Sequence, residues 1–116
     1  MLNFTGSLRV YLATAATDLR KSFNGLHAAT TQVMREDPRS GSLFVFCNRR
    51  RTRIKTLYWD GTGLWVMTKR LEKGTFSWPQ GAETQDGKLS LSPQALGLLL
   101  EGVDLRGGTL RPWYQR

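Results

Sequence analysis

Five of the seven residues from Arg49 to Lys55 are cationic: Arg49, Arg50, Arg51, Arg53 and Lys55. Side chains this strongly hydrated do not form a core, so the run must face outward. Its density fits the electrostatic footprint of a surface that binds nucleic-acid phosphates. Lys69, Arg70 and Lys73 supply three further cations downstream, and Tyr58, Trp59 and Trp65 lie between the two groups. An aromatic ring beside a cationic run can stack on an unpaired base, worth about 1–3 kcal/mol each. It can equally dock a partner, or simply pack on a sheet face, which is the plainer reading of Trp59, Trp65 and Phe76. The plainer reading of the cations themselves is a solvated loop that keeps the protein soluble or meets a protein partner. No helix carries a basic, base-reading face, so sequence-specific readout is not expected.

Other chemistry finds little support in the residue types. His27 is the single histidine and falls beside an apolar helical stripe, so a nicking enzyme built on paired histidines is excluded. Cys47, the single cysteine, lies in an apolar strand with no base in the pattern and reads as a buried thiol. Gly61-Thr62-Gly63 lacks both the lysine-serine/threonine ending and the following helix of a phosphate loop. Asp18, Asp60, Glu72 and Asp104 show no spacing that converges two carboxylates on one element, as two-metal nuclease chemistry requires. A small metal-dependent nuclease is therefore a minor alternative. No catalytic residue, metal ligand, cofactor or small-molecule substrate is assigned.

The chain has 116 residues, which favours a single domain with one core, and 17 Lys and Arg against 9 Asp and Glu give a net charge of +8. That surplus attracts polyanions whatever the fold. One cysteine permits no intrachain disulfide and fits a reducing setting. No apolar run approaches the roughly 20 residues of a membrane helix, and the first residues lack a signal-peptide pattern. A cytoplasmic protein without membrane contact is expected.

The elements that must position the cations follow from periodicity. Ser7 to Leu12 reads as a strand. Thr17 reads as an N-cap with Asp18 in the first turn, opening a helix to about Arg35 whose stripe is Leu19, Phe23, Leu26, Thr30 and Val33. Asp37-Pro38 ends it. Leu43 to Cys47, Arg53 to Trp59, Leu64 to Leu71, Gly74 to Pro79 and Lys88 to Leu91 read as strands, with a tight turn at Asp60–Gly63. Ser92-Pro93 caps a second helix, striped by Leu96, Leu99, Leu100 and Val103, and residues 106–116 read as a flexible C-terminal tail after a single domain of residues 1–105.

A tight turn at Asp60–Gly63 pairs Trp59 with Leu64, Leu57 with Val66, Lys55 with Thr68 and Arg53 with Arg70. A five-residue loop from Asn48 to Thr52 pairs Cys47 with Arg53 and Leu43 with Leu57. Eight cations then gather at one end of the sheet, with Tyr58, Trp59 and Trp65 at the other. Arg53 across from Arg70 is a like-charge pair, unfavourable unless an anion lies between. The expected fold is a single α+β domain: a mostly antiparallel β-meander packed with two main helices, the first on one face and the second closing an edge.

Several motifs in order resemble a known family: Val10-Tyr11-Leu12-Ala13-Thr14, Thr17-Asp18-Leu19-Arg20-Lys21-Ser22-Phe23-Asn24-Gly25-Leu26, and Asp37-Pro38-Arg39-Ser40-Gly41-Ser42-Leu43-Phe44-Val45-Phe46. The basic run continuing through Tyr58-Trp59-Asp60-Gly61-Thr62-Gly63, and Lys69-Arg70-Leu71-Glu72-Lys73-Gly74-Thr75-Phe76-Ser77-Trp78-Pro79, complete the set. Together they look like the accessory protein, often called TnpB, encoded by the second open reading frame of the insertion-sequence sixty-six family. It shares only a name with the RNA-guided nuclease. Ser22 stands where glycine is frequent, and Cys47-Asn48 where a more polar or basic pair is common. The resemblance implies a bacterial mobile-element protein that assists DNA transposition beside a separate, catalytic transposase. It brings no catalytic residues. DNA and the element-encoded transposase are the expected partners, with Arg49, Arg50, Arg51, Arg53, Lys55, Lys69, Arg70 and Lys73 neutralising phosphates. The alternative is an adaptor that binds the transposase and never touches DNA.

Overall fold

The computed structural model describes residues 8–79 and 87–102. Five strands form one sheet: β1 (Val10–Ala13), β2 (Leu43–Cys47), β3 (Arg53–Trp59), β4 (Leu64–Arg70) and β5 (Lys88–Leu91), in the spatial order β4-β3-β2-β1-β5. All neighbours are antiparallel except β1 and β2, which run parallel. The parallel pair exists because a helix, α1 (Phe23–Ala29), is interposed between the two strands and makes the crossover that parallel neighbours require. The expected antiparallel meander is thus β2-β3-β4, with a parallel β1 and an antiparallel β5 added at its side. β2 is central and every residue of it is buried, which explains why Leu43 to Cys47 is an unbroken apolar run instead of an alternating one.

Each face of the sheet carries its own apolar layer. On one, Phe44, Phe46 and Leu57 meet Leu19, Leu26 and Met34 from the α1 side, and Tyr11 stacks on Phe44 with ring centroids 5.8 Å apart. On the other, Val10, Leu43, Val45, Cys47 and Ile54 meet Ala95, Leu96 and Leu99 of α2 (Pro93–Leu100), together with Phe76 and Trp78. Ser92 caps α2 as the sequence predicts, its hydroxyl accepting from the Ala95 N–H at 3.1 Å. The helix does not close an edge, however. Its apolar stripe needs sheet to cover it, so it returns across the second face and brings the Leu100 carbonyl within 2.6 Å of Lys69 Nζ on β4.

The first helix begins later than its periodicity suggests. Thr17 is not an N-cap; its N–H donates to the Cys47 carbonyl at 2.9 Å and ties this segment to the end of β2. Asp18 instead closes a turn, accepting from the Arg20 N–H at 3.0 Å, and α1 starts only at Phe23. A π-helical turn, Thr30–Met34, continues α1 to Arg35, which ends it in the left-handed region at φ 56°. The late start and the widened last turn shift the buried stripe to Leu26, Thr30 and Met34, leaving Phe23 (46%) and Val33 (50%) exposed. Gly25, unfavourable in a helix on propensity alone, is required by packing: a Cβ there would sit 2.4 Å from Lys21 Cβ.

The β3-β4 hairpin has the predicted register, Arg53 opposite Arg70 included, with Gly61 at φ 105° in its turn. The β2-β3 register differs by one residue: Cys47 pairs with Ile54 and Phe44 with Leu57. Asn48 belongs to the ladder and not to the loop, its N–H donating to the Arg53 carbonyl at 3.2 Å, so four residues make the connection instead of five. A one-residue slip exchanges faces. It sends Cys47 and Ile54 together into the α2 layer and turns Arg53 and Lys55 toward the α1 side. Gly74 to Pro79 forms no strand; Phe76 and Trp78 are buried side chains on an irregular segment, anchored where the Phe76 N–H donates to the Arg51 carbonyl at 2.7 Å. Residues 80–86, Val103 and the expected tail at residues 106–116 lie outside the described residues.

Candidate nucleic-acid interface

β3 sets the floor of the site. With strand residues alternating between faces, Arg53, Lys55 and Leu57 share the α1 face while Ile54, Thr56 and Tyr58 share the α2 face. Leu57 lies under α1, but α1 starts at Phe23 and leaves the Arg53 end of the strand uncovered. A groove of about 710 Å³ opens there. Its floor is Arg53, Lys55 and Thr68; one wall is Ala16–Arg20, and the other is Asn48, Arg49 and Arg50. Arg20, Arg49, Arg50, Arg53 and Lys55 thus converge on one concavity.

Hydrogen bonds hold both walls. The Asn48 side chain braces the basic loop: Oδ1 accepts from the Thr52 and Arg53 N–H groups at 2.9 and 3.0 Å, and Nδ2 donates to Thr52 Oγ1 at 3.0 Å. Lys55 Nζ donates to the Lys21 carbonyl at 3.2 Å, tying the floor to the segment before α1. Arg20 is clamped by Asp18, with Nε 2.9 Å from Oδ1 and Nη2 2.8 Å from Oδ2. The Arg20 side chain beside it holds the Asp18 carboxyl well below the usual carboxylate range. Among the described residues, Asp18 is the single acid lining the groove. Among the described residues, Arg49, Arg50, Arg53 and Lys55 have no carboxylate within ion-pair distance.

The structure therefore brings together four of the eight cations marked in the sequence. Arg70 stands beside them, exposed and opposite Arg53, and Lys73 is exposed just beyond β4. Arg51 and Lys69 point elsewhere. Arg51, left-handed at φ 60°, turns its guanidinium inward, 5.5 Å from the centre of the Trp78 ring, with Nη1 buried and without a hydrogen-bond partner. Lys69 lies on the α2 face, its Nζ bound to Leu100. Tyr58 and Trp65 also lie on the α2 face, paired across the hairpin. Trp65 is 43% exposed and its Nε1–H donates to Asp60 Oδ2 at 2.7 Å. Trp59 is on the groove's face but at the far end of β3, under the Arg39 guanidinium at 5.0 Å.

Arg20 was absent from the sequence-derived set because the segment read as helix. Two residues apart, Asp18 and Arg20 would not face each other on a helix; their spacing is productive only in a turn, and nothing in the residue types distinguishes the two. Burial pushes the Cys47 thiol up, against a smaller opposing pull from Arg51. Among the described residues no group of three His, Cys, Asp or Glu side chains is arranged to hold a metal ion, and no helix is long and apolar enough to cross a membrane.

Residues 8–109 match the family model described as IS66 Orf2 like protein. The chain is 38% identical over 104 residues to the uncharacterized protein y4jC of Sinorhizobium fredii, covering 90% of this chain and 86% of that one. It is also 38% identical over 106 residues to y4hO, an uncharacterized protein of the same organism, covering 91% and 90%. No solved structure matches the chain significantly.

Proposed function

Because the chain belongs to the IS66 Orf2 like family, accessory proteins of insertion sequences, we propose that it assists DNA transposition by binding DNA in the groove floored by Arg53 and Lys55. One observation carries the reading: among the described residues, four cations converge on a concavity whose single acid is already engaged by a fifth, Arg20. Like charges held this close are unfavourable in isolation and become favourable around a polyanion. Arg70 and Lys73 extend the positive surface past the groove. The role is non-enzymatic: the protein holds DNA for chemistry performed by the transposase. The test is retention on DNA in a salt titration, comparing wild type with Arg49→Glu/Arg50→Glu/Arg53→Glu. The variant should lose retention with an unchanged circular-dichroism spectrum. Equal retention by a folded variant rejects the reading.

A second reading is an adaptor for the transposase that does not touch DNA. It is favoured by the exposed Trp65 beside Tyr58, on the face away from the groove. It predicts co-purification with the transposase that survives the triple charge reversal and is lost in Trp65→Ala.

A further inference from the structure

We infer that the groove grips the sugar–phosphate backbone alone and leaves the bases unstacked and unread, so that its ligand class is a polynucleotide irrespective of sequence. The inference rests on the reading of the groove as a DNA site. Among the described residues, no aromatic side chain lines it. Trp59 lies six residues from Arg53 along β3, roughly 20 Å at about 3.3 Å per residue, and its ring is already under Arg39. Tyr58 and Trp65 are on the opposite face of the sheet, so a strand lying in the groove cannot reach them with its bases.

Nor are the groove's amide and carboxylate available as base-reading edges. The Asn48 acceptor oxygen is filled by two backbone N–H groups and its amide nitrogen serves Thr52. The Asp18 carboxylate is engaged by Arg20 through both oxygens. What remains to meet a ligand is the hydroxyls of Thr17 and Thr68 and positive charge, two of its sources fixed on a β-strand floor. Cation contacts to phosphate position a nucleic acid without carrying sequence information.

The experiment measures fluorescence-anisotropy affinities of the full chain for equal-length probes: a base-bearing single strand, an abasic single strand, and two duplexes of unrelated sequence. The abasic strand should bind within about threefold of the base-bearing one, and the two duplexes should bind alike. If the four groove cations not paired with Asp18 meet phosphates, the log–log salt slopes should be about −2.8 on single strands and about −3.6 on duplex. One stacked base would separate the two single strands by roughly 5- to 150-fold, and a gap of that size, or a clear preference between the duplexes, overturns the inference while leaving DNA binding intact. Failure of all four probes to bind, or binding unchanged in the folded variant Arg49→Glu/Arg50→Glu, both exposed loop positions, removes the DNA reading itself.

Discussion

Asn48 is the residue on which the basic loop depends, and replacing it separates stability from charge. Asn48→Ala removes two backbone N–H acceptor contacts and one donor contact to Thr52. A net hydrogen bond contributes about 0.5–1.5 kcal/mol, so three would amount to roughly 1.5–4.5 kcal/mol. The site is partly buried, and water can replace the Thr52 hydroxyl contact, which brings the expected loss to about 2 kcal/mol. For a domain of this size 1 kcal/mol moves Tm by about 4 °C, so thermal unfolding should shift down by about 8 °C. The same substitution frees Arg49, Arg50 and Arg53 from one geometry and should weaken duplex binding without altering net charge. Asn48→Asp is the control. It keeps an acceptor for both N–H groups, so it should lose less stability than Asn48→Ala, yet it places an anion in the groove wall and should lose more affinity. A Tm for Asn48→Ala within a degree or two of wild type refutes the bracing role, and identical affinity losses in the two variants refute the electrostatic one.

Three further outcomes follow from the geometry. Arg53→Gln relieves the cross-strand pair with Arg70 and should raise stability by about 0.2–1 kcal/mol in urea unfolding, while reducing the duplex salt slope by about 0.9. Trp78→Phe deletes the 2.9 Å bond from Nε1–H to the buried Ala13 carbonyl, leaving an acceptor unpaired at about 1–3 kcal/mol, measurable as a lower urea midpoint. Asp60 is held well below the usual carboxylate range by the Thr62 N–H, the Trp65 Nε1–H, the Thr62 hydroxyl and the Gly63 N–H. Its folded pKa is thus the lower one, so the stability it contributes is complete above about pH 4 and is lost as pH falls toward the folded value. Acid titration of Asp60→Asn should accordingly show a shallower loss of stability than wild type.

Local pattern made the strands, the Asp60–Gly63 turn and the Ser92 cap legible in the sequence, because each depends on neighbours a few residues away. The register of β3 on β4 was legible for the same reason: a tight turn leaves one pairing. β2 on β3 was not, because Asn48 serves equally well as the last ladder residue or the first loop residue, and the choice is made by its own side-chain bonds to Thr52 and Arg53. That single residue decided which face the cations took. The late start of α1 was hidden because Thr17-Asp18 satisfies the local rules for a cap, while the competing bond from the Thr17 N–H to Cys47 lies in a distant strand. Arg51 and Lys69 were indistinguishable from their neighbours by type. One turns inward on a left-handed backbone, and the other lies on the α2 face because even and odd strand positions face opposite ways.

The floor of the groove is where the chain departs from what folding alone would choose. β2 is buried on both faces and carries the apolar layers, so β3 is free to spend two of its positions on charge. Folding would favour a Thr or Val at 53 and 55, where the side chains face Arg70 and Thr68. Instead a guanidinium faces a guanidinium on a rigid strand, with Asn48 fixing the adjoining wall. A cation on a flexible loop can swing away from a like charge; one on a central hairpin strand cannot. Sites where local choices conflict with stability are where function is expected. The conflict is strongest at Arg53, and an anion lying between Arg53 and Arg70 would resolve it.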